Sequence, residues 1–317
     1  MDNEIIYAVV IAFLLNIVMT PFIIPILHKF KFGQPVRSDG PQTHLKKSGT
    51  PTMGGIMIVS SIVITSLLFF HDNKELQCIL FVTLGYGVIG FLDDYLKIAR
   101  KSSDGLSASQ KILSQLVVTI VFAYLITFYL KLDTSVLIPF SRGAQLDLGI
   151  LYYPLLIVGV VGIVNAVNLT DGVDGLAASV TVLVATYFAV VAWALQNGAA
   201  PFAAATAGSL LGFLLFNSYP AKIFMGDTGS LALGGFVASI AFILQMPLFI
   251  LIIGIIYVIE NLSVIIQVGY YKKTQKRIFK MAPIHHHFEK SGWEETKVVS
   301  VFSIVTAIMC LIGLVAI

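Results

Sequence analysis

The chain has 317 residues, 57% of them hydrophobic and 12% charged, with a mean hydropathy of +0.90 and a formal net charge of +3. An ordinary soluble domain is about 25% charged, so this composition excludes a pair of soluble domains, a disordered chain, a coiled coil and a small disulfide scaffold. The two cysteines, Cys78 and Cys310, both sit inside apolar runs and build neither a disulfide framework nor a metal-ligand spacing.

A polytopic all-α integral membrane protein remains, expected as a single transmembrane domain over 1–317. A helix crosses a bilayer in about 20 apolar residues. Ten candidate transmembrane helices follow in chain order: 5–27, 53–70, 77–96, 111–130, 151–168, 175–195, 201–218, 229–245, 247–270 and 298–317. Asp2 and Glu4, rather than a basic stretch, precede the first run, so no cleavable signal peptide is expected. Between the eighth and ninth spans the only punctuation is Gln245-Met246-Pro247.

Ten spans put both termini on one side, and the Lys/Arg distribution decides which. Of the 20 Lys and Arg residues, all but Lys74, Lys131 and Arg142 fall in one set of loops. That set is expected to be cytoplasmic and both termini extracytoplasmic. The outer segment 131–149 has short β-prone runs flanking Ser141-Arg142-Gly143, which predicts a small external β-hairpin.

Ionisable groups at membrane depth are costly and usually functional. Asp93 and Asp94 sit in GVIGFLDDYLK at the inner, C-terminal end of the third span. A helix C-terminus disfavours anions, so this pair needs a cation, a lysine or a shared proton; pairing of Asp94 with Lys97 is the simplest alternative. Asp171 and Asp174 sit in NAVNLTDGVDGLAAS, with Gly172 permitting close backbone approach and Asn165 and Asn168 adding amides inside an otherwise apolar helix. Asp227 sits in FMGDTGSLALGG where the eighth span begins, so free amides there favour phosphate. A plain N-cap role is the competing reading for Asp171, Asp174 and Asp227. His285, His286 and His287 lie in the last inner loop, where consecutive placement argues against a three-histidine zinc site and for phosphate contacts or acid/base work.

What the separate alternatives do not predict is the shared side: five aspartates and three histidines map to the cytoplasmic ends of spans, among Lys46, Lys47 and Lys111. Carboxylate donors favour a hard cation, Mg²⁺ or alternatively Mn²⁺, over zinc. Such a mouth points to phosphoryl transfer. There is no GxxxxGK[ST] loop, which removes a P-loop NTPase, and nothing suggests a nucleic-acid partner.

Four stretches, HLKKSGTPTMGG (44–55), GFLDDYLK (90–97), NAVNLTDGVDGLA (165–177) and APIHHHFEKSGWEE (282–295), resemble the phospho-N-acetylmuramoyl-pentapeptide transferases. The resemblance covers essentially the whole chain. The middle two and FMGDTGS are shared across the polyprenyl-phosphate sugar-1-phosphate transferases; the contiguous histidines followed by Phe288-Glu289 match the muramoyl-pentapeptide branch. The resemblance implies a Mg²⁺-dependent enzyme of the bacterial plasma membrane, with its active site on the cytoplasmic face. It would move phospho-N-acetylmuramoyl-pentapeptide from UDP onto undecaprenyl phosphate, giving lipid I and UMP in peptidoglycan synthesis. A homodimer in the lipid bilayer is also implied.

By the same resemblance, Asp227 is the expected metal ligand, with Asp93 and Asp94 as further candidates. Asp93 would deprotonate or orient the lipid phosphate, unless one of the pair is a covalent nucleophile. Lys111 would contact the diphosphate, and His287 completes the catalytic set. Asn168, Asp171, Asp174 and Phe224 would form the uridine pocket, with Phe224 stacked on the base, and Asn165, Leu169, Gly172 and Asn217 would be further substrate contacts. Lys46, Lys47, Gln267, His285 and His286 would contact the rest of the nucleotide sugar. Two rivals stay open: a sister GlcNAc-1-phosphate transferase, and an ion-coupled transporter built on intramembrane acids.

Overall fold

The computed structural model describes residues 3–29, 49–69, 72–100, 102 and 104–317. Lys46 and Lys47 lie outside the described residues. The fold is nearly all helical. In chain order it has α1 (Asn3–Lys29), α2 (Gly55–Phe69), α3 (Lys74–Ala99), α4 (Ala108–Tyr124), a hairpin of β1 (Ser135–Leu137) and β2 (Gln145–Asp147), and α5 (Tyr152–Thr170). There follow α6 (Leu176–Ala194), α7 (Ala200–Asn217), α8 (Gly226–Ile243), the short α9 (Ile250–Ile253), α10 (Ile255–Thr274), the short α11 (Ile284–Glu289) and α12 (Glu295–Val315).

Eight helices among the described residues are long and apolar enough to cross a membrane. The ten expected spans are therefore not ten straight crossings. The second expected span is the 15-residue α2, short of the usual length. The ninth, read as one run over 247–270, is broken: α9 and α10 meet at 87°. Gly254 sits at the joint with φ −99° and ψ 22°, outside helical geometry, and Pro247 opens a 3₁₀ turn just before it. Hydropathy counts apolar residues and is blind to such a dihedral break.

The bundle is organised around α8, whose apolar window is 94% buried, against 17% for α1. Without a hydrophobic drive between helices in lipid, close packing depends on small residues. A Cβ on Gly90 of α3 would lie 2.0 Å from the Asp227 carbonyl oxygen, and one on Gly55 of α2 would lie 2.0 Å from the Gly229 amide nitrogen. Both glycines thus let neighbouring backbones touch the first turn of α8, where the acidic motif sits. α4 starts at a full capping box, with Ser107 and Gln110 each satisfying the other's backbone amide.

The strands pair antiparallel, with Val136 opposite Leu146. The hairpin is fastened to the helical body by two main-chain bonds: the Leu137 amide donates to the Gln245 carbonyl and the Phe140 amide to the Ala316 carbonyl, each at 2.7 Å.

Candidate active site

Four helix ends meet at one place: the C-terminal ends of α3 and α5 and the N-terminal ends of α4 and α8. Asp93 and Asp94 come from α3, Lys111 from α4, Asn168 from α5 and Asp227 from α8. Asp93, Asp94 and Asp227 each contribute a carboxylate oxygen, and the three oxygens lie within 4.8 Å of one another. Lys97 Nζ is 2.6 Å from Asp93 Oδ2 and 3.1 Å from Asp227 Oδ2. Lys111 Nζ is 2.8 Å from Asp227 Oδ2 and 4.0 Å from Asp93 Oδ2. Asn168 Nδ2 donates to Asp227 Oδ1 at 2.9 Å and to Ser230 Oγ at 2.8 Å.

The two adjacent aspartates have different surroundings. Asp93 Oδ1 accepts the Leu106 amide at 2.8 Å, and its other oxygen faces the lysines. Asp94 accepts the Asp227 amide at 3.1 Å, the Thr228 amide at 2.9 Å and the Thr228 hydroxyl at 2.7 Å. Asp94 therefore caps α8 from another helix, and its negative charge offsets that helix's positive end. The free amides expected to greet a phosphate at this terminus are in part taken by Asp94. Lys97 pairs with Asp93 and Asp227 and not with Asp94, the partner considered from sequence.

The first motif is pinned to the same place. The Phe224 amide donates to the Pro51 carbonyl, and the Gly54 and Gly55 amides donate to the carbonyls of Phe224 and Met225, all at 2.8 Å. Phe224 is half-buried on this shared turn. Asn217 Nδ2 holds the Ile223 carbonyl at 2.9 Å, and Asp174 accepts the Ala221 amide at 2.9 Å, so both brace the loop that presents Phe224. Asp171 lies between α5 and α6, where burial, then the charges of Asp227, Asp94 and Asp174, push its carboxyl up to about 8. Leu169 is half-buried beside Asn168.

The histidines separate into three roles. His285 is fully buried, with Nδ1 3.0 Å from Oε1 of the equally buried Glu260 on α10. Its Nε2 faces Gly172 so closely that a Cβ there would lie 2.1 Å away. His286 Nδ1 lies 2.6 Å from Glu289 Oε2, and His287 Nδ1 accepts the Lys280 amide at 3.1 Å. Gln267 spends its amide on the same loop, accepting from the Ile278 and Phe279 amides and donating to the Phe279 carbonyl, each at 3.0 Å. Asn165 points to Gln115, donating to its Oε1 at 2.8 Å, and to the Val161 carbonyl at 2.8 Å.

The structure thus gathers Asp93, Asp94, Lys111, Asn168 and Asp227, and sets His285 against Gly172. The side-chain bonds of Gln267 and Asn165 run to protein groups. Sequence reasoning missed Lys97 as a member of the cluster, although it stands four residues after Asp93, one helical turn on. It also missed Glu260, a lone acid inside an apolar run, and Thr228 beside Asp227. Three convergent carboxylate oxygens, with no sulfur donor among them, suit a hard divalent cation. The flanking lysines suit phosphate oxygens.

Comparison with known proteins agrees. Residues 76–245 match the family model for glycosyl transferase family 4, and residues 47–59 match the phospho-N-acetylmuramoyl-pentapeptide-transferase signature 1. The chain is 53% identical over 318 residues to the phospho-N-acetylmuramoyl-pentapeptide-transferase of Clostridium botulinum (strain Alaska E43 / Type E3), covering 100% of this chain and 97% of that one. It is 53% identical over 312 residues to the protein of that name in Clostridium kluyveri (strain ATCC 8527 / DSM 555 / NBRC 12016 / NCIMB 10680 / K1), covering 98% of each chain. It is 50% identical over 315 residues to that of Clostridium perfringens (strain 13 / Type A), again covering 98% of each. On the signature match and the similarity over the full length, the chain belongs to the phospho-N-acetylmuramoyl-pentapeptide-transferase family.

Proposed function

We propose that this membrane enzyme transfers phospho-N-acetylmuramoyl-pentapeptide from its UDP-linked precursor to undecaprenyl phosphate, giving lipid I and UMP. The observation that carries the reading is the meeting of Asp93, Asp94 and Asp227 with Lys97 and Lys111 at the ends of helices α3, α4 and α8. Three convergent carboxylate oxygens beside two ammonium groups would suit a cation shared with anionic substrates once the lysines turn to those anions. Asp227, with Asp93, would hold Mg²⁺, with Mn²⁺ as the alternative. When bound, the metal would neutralise charge on the diphosphate.

The chain's own residues do the rest. Lys97 and Lys111 would turn from Asp227 toward phosphate oxygens. Asp93, whose Oδ2 faces the lysines, would orient or deprotonate the lipid phosphate. An oxygen of that phosphate attacks the β-phosphorus of the nucleotide sugar, the new P–O bond forms, and the bond to UMP breaks. Asp94 spends both oxygens on α8, so it serves as a positioning residue rather than a nucleophile. Catalysis is then largely positioning and charge neutralisation.

An open apolar groove supports a polyprenyl acceptor. Leu155, Gly159, Phe242, Leu251, Tyr257 and Leu262 line it, between α5, α8 and the bent α9–α10 pair. It follows α5 as far as Ala166, two residues before Asn168. A tail in the groove would end near the C-terminal turn of α5, the helix end that also carries Asn168 toward the acidic cluster. The Lys/Arg distribution supports a cytoplasmic mouth and extracytoplasmic termini in the bacterial plasma membrane. The resemblance to the family supports a homodimer.

The test is incubation of purified protein with radiolabelled UDP-N-acetylmuramoyl-pentapeptide and undecaprenyl phosphate, with Mg²⁺ or with chelator. Label should enter the lipid phase with release of UMP only when the metal is present. Transfer from UDP-GlcNAc instead would identify a sister activity. No transfer, with ion flux in sealed vesicles, would favour a transporter.

A further inference from the structure

A buried polar layer lies one helical turn below the acidic cluster. On α4, Lys111 and Gln115 are four residues apart; on α5, Asn168 and Asn165 are three apart. Such spacings put each pair on one helix face. Lys111 and Asn168 take opposite oxygens of Asp227, at 2.8 and 2.9 Å. One turn deeper, Gln115 and Asn165 bond each other, at 2.8 Å in one direction and 3.4 Å in the other. The two helices are joined by two rungs, one through Asp227 and one through the amide pair.

Gln115 also reaches the third helix of the site. Its main-chain carbonyl accepts the Tyr86 hydroxyl at 3.2 Å, and the Thr119 hydroxyl lies 2.7 Å from that hydroxyl. Tyr86 stands two turns before Asp93 on α3. Gln115, Thr119 and Tyr86 are fully buried. Polar groups this deep in an apolar bundle carry a desolvation cost and persist where they fix a geometry. The layer therefore links α3, α4 and α5, the helices that bring Asp93, Lys111 and Asn168 to Asp227.

We propose that Gln115 and Asn165 are positioning residues that set the reach of Lys111 and Asn168 to Asp227. The amide pair fixes the spacing of α4 and α5 below the site, and so holds the Lys111 ammonium on the metal-site carboxylate. Asn165 then acts through the scaffold rather than on the nucleotide. The inference rests on the transferase reading for its catalytic consequence, but not for its geometry.

The experiment measures how fast Lys111 reacts with an amine-acylating reagent in the full-length protein in nanodiscs, by peptide mass spectrometry, with exposed Lys272 as internal control. Gln115→Leu and Gln115→Asn should each raise the Lys111 rate several-fold with Lys272 unchanged. The exchange of Gln115→Asn with Asn165→Gln rebuilds the amide pair and should return the rate toward the starting value. Where the wild type transfers, Gln115→Leu should lower kcat on the order of 100-fold, as expected for a misplaced group, with the nucleotide-sugar KM within twofold. Added to Lys111→Met, it should cause no further loss. An unchanged Lys111 rate, a rise at Lys272 to match, or kcat losses that multiply would overturn the inference. Wild-type protein without transfer would overturn the transferase reading, while the labelling would still decide on the layer. Gln115→Asn and the exchange variant keep the test decisive if Gln115→Leu fails to fold.

Discussion

Asp94 on α3 accepts the backbone amide of Asp227 on α8 at 3.1 Å, so one acid of the cluster holds the main chain of another. With the two Thr228 donors, this makes Asp94 the cap of α8 in a helix that has no cap of its own. Asp94→Asn keeps the shape but halves the acceptors. The variant should melt earlier by roughly 1–3 kcal/mol of stability, and transfer should fall because Asp227 shifts. Thermal unfolding and turnover measured on the same preparation check this; full activity with unchanged melting would remove Asp94 from that role.

Phe224 sits on a turn whose main chain is bonded to residues 51–54. Its half-buried ring is the candidate platform for the uracil. Phe224→Ala should raise the KM for the nucleotide sugar about tenfold, consistent with roughly 1–3 kcal/mol for base stacking, and leave that for the lipid nearly unchanged. Steady-state kinetics in each substrate separate the two; equal effects would refute stacking.

Asp171 is held up at about 8 by burial and by three neighbouring carboxylates. A carboxyl raised above its unfolded value of 3.8 binds its proton more tightly in the folded state. Its contribution to stability is thus greatest below pH 4 and declines as pH rises toward 8. Asp171→Asn should remove that decline. In chelator, the variant should melt higher than wild type at pH 8, with the difference closing toward pH 4. Parallel melting curves across that range would contradict the assignment.

Gly172 gives His285 its space. A Cβ at this position would stand 2.1 Å from His285 Nε2, and Glu260 holds the opposite side of the ring. Gly172→Ala should displace either the ring or the loop carrying Asp171, at about 1–3 kcal/mol for overpacking. Nucleotide-sugar binding should weaken more than lipid binding. Calorimetric titration with the nucleotide sugar checks this, and unaltered binding would show that the loop moves freely.

Much of the site was legible because its chemistry is carried by residues that membrane helices otherwise avoid. Asp93, Asp94 and Asp227 are conspicuous in apolar surroundings, and the hairpin segment was visible from its turn residues. Partners were less legible, since a linear sequence does not say which way an amide points. Asn165 is expected at the substrate, and the sequence does not announce that Gln115, 50 positions away, stands against it. Gln267, also expected at the substrate, holds the backbone of 278–279, a contact that spacing does not announce. The break at Gly254 left no hydropathy signal because apolar residues continue on both sides of it.

Asp227 is the proposed carboxylate around which metal, lysines and diphosphate would assemble. The direct measurement is UMP release by Asp227→Asn over a Mg²⁺ titration, with nucleotide-sugar binding followed in parallel. The variant should stay folded and bind the nucleotide sugar, yet release no UMP at any Mg²⁺ concentration. Wild-type release with an unaltered Mg²⁺ dependence would place the metal elsewhere and contradict the account.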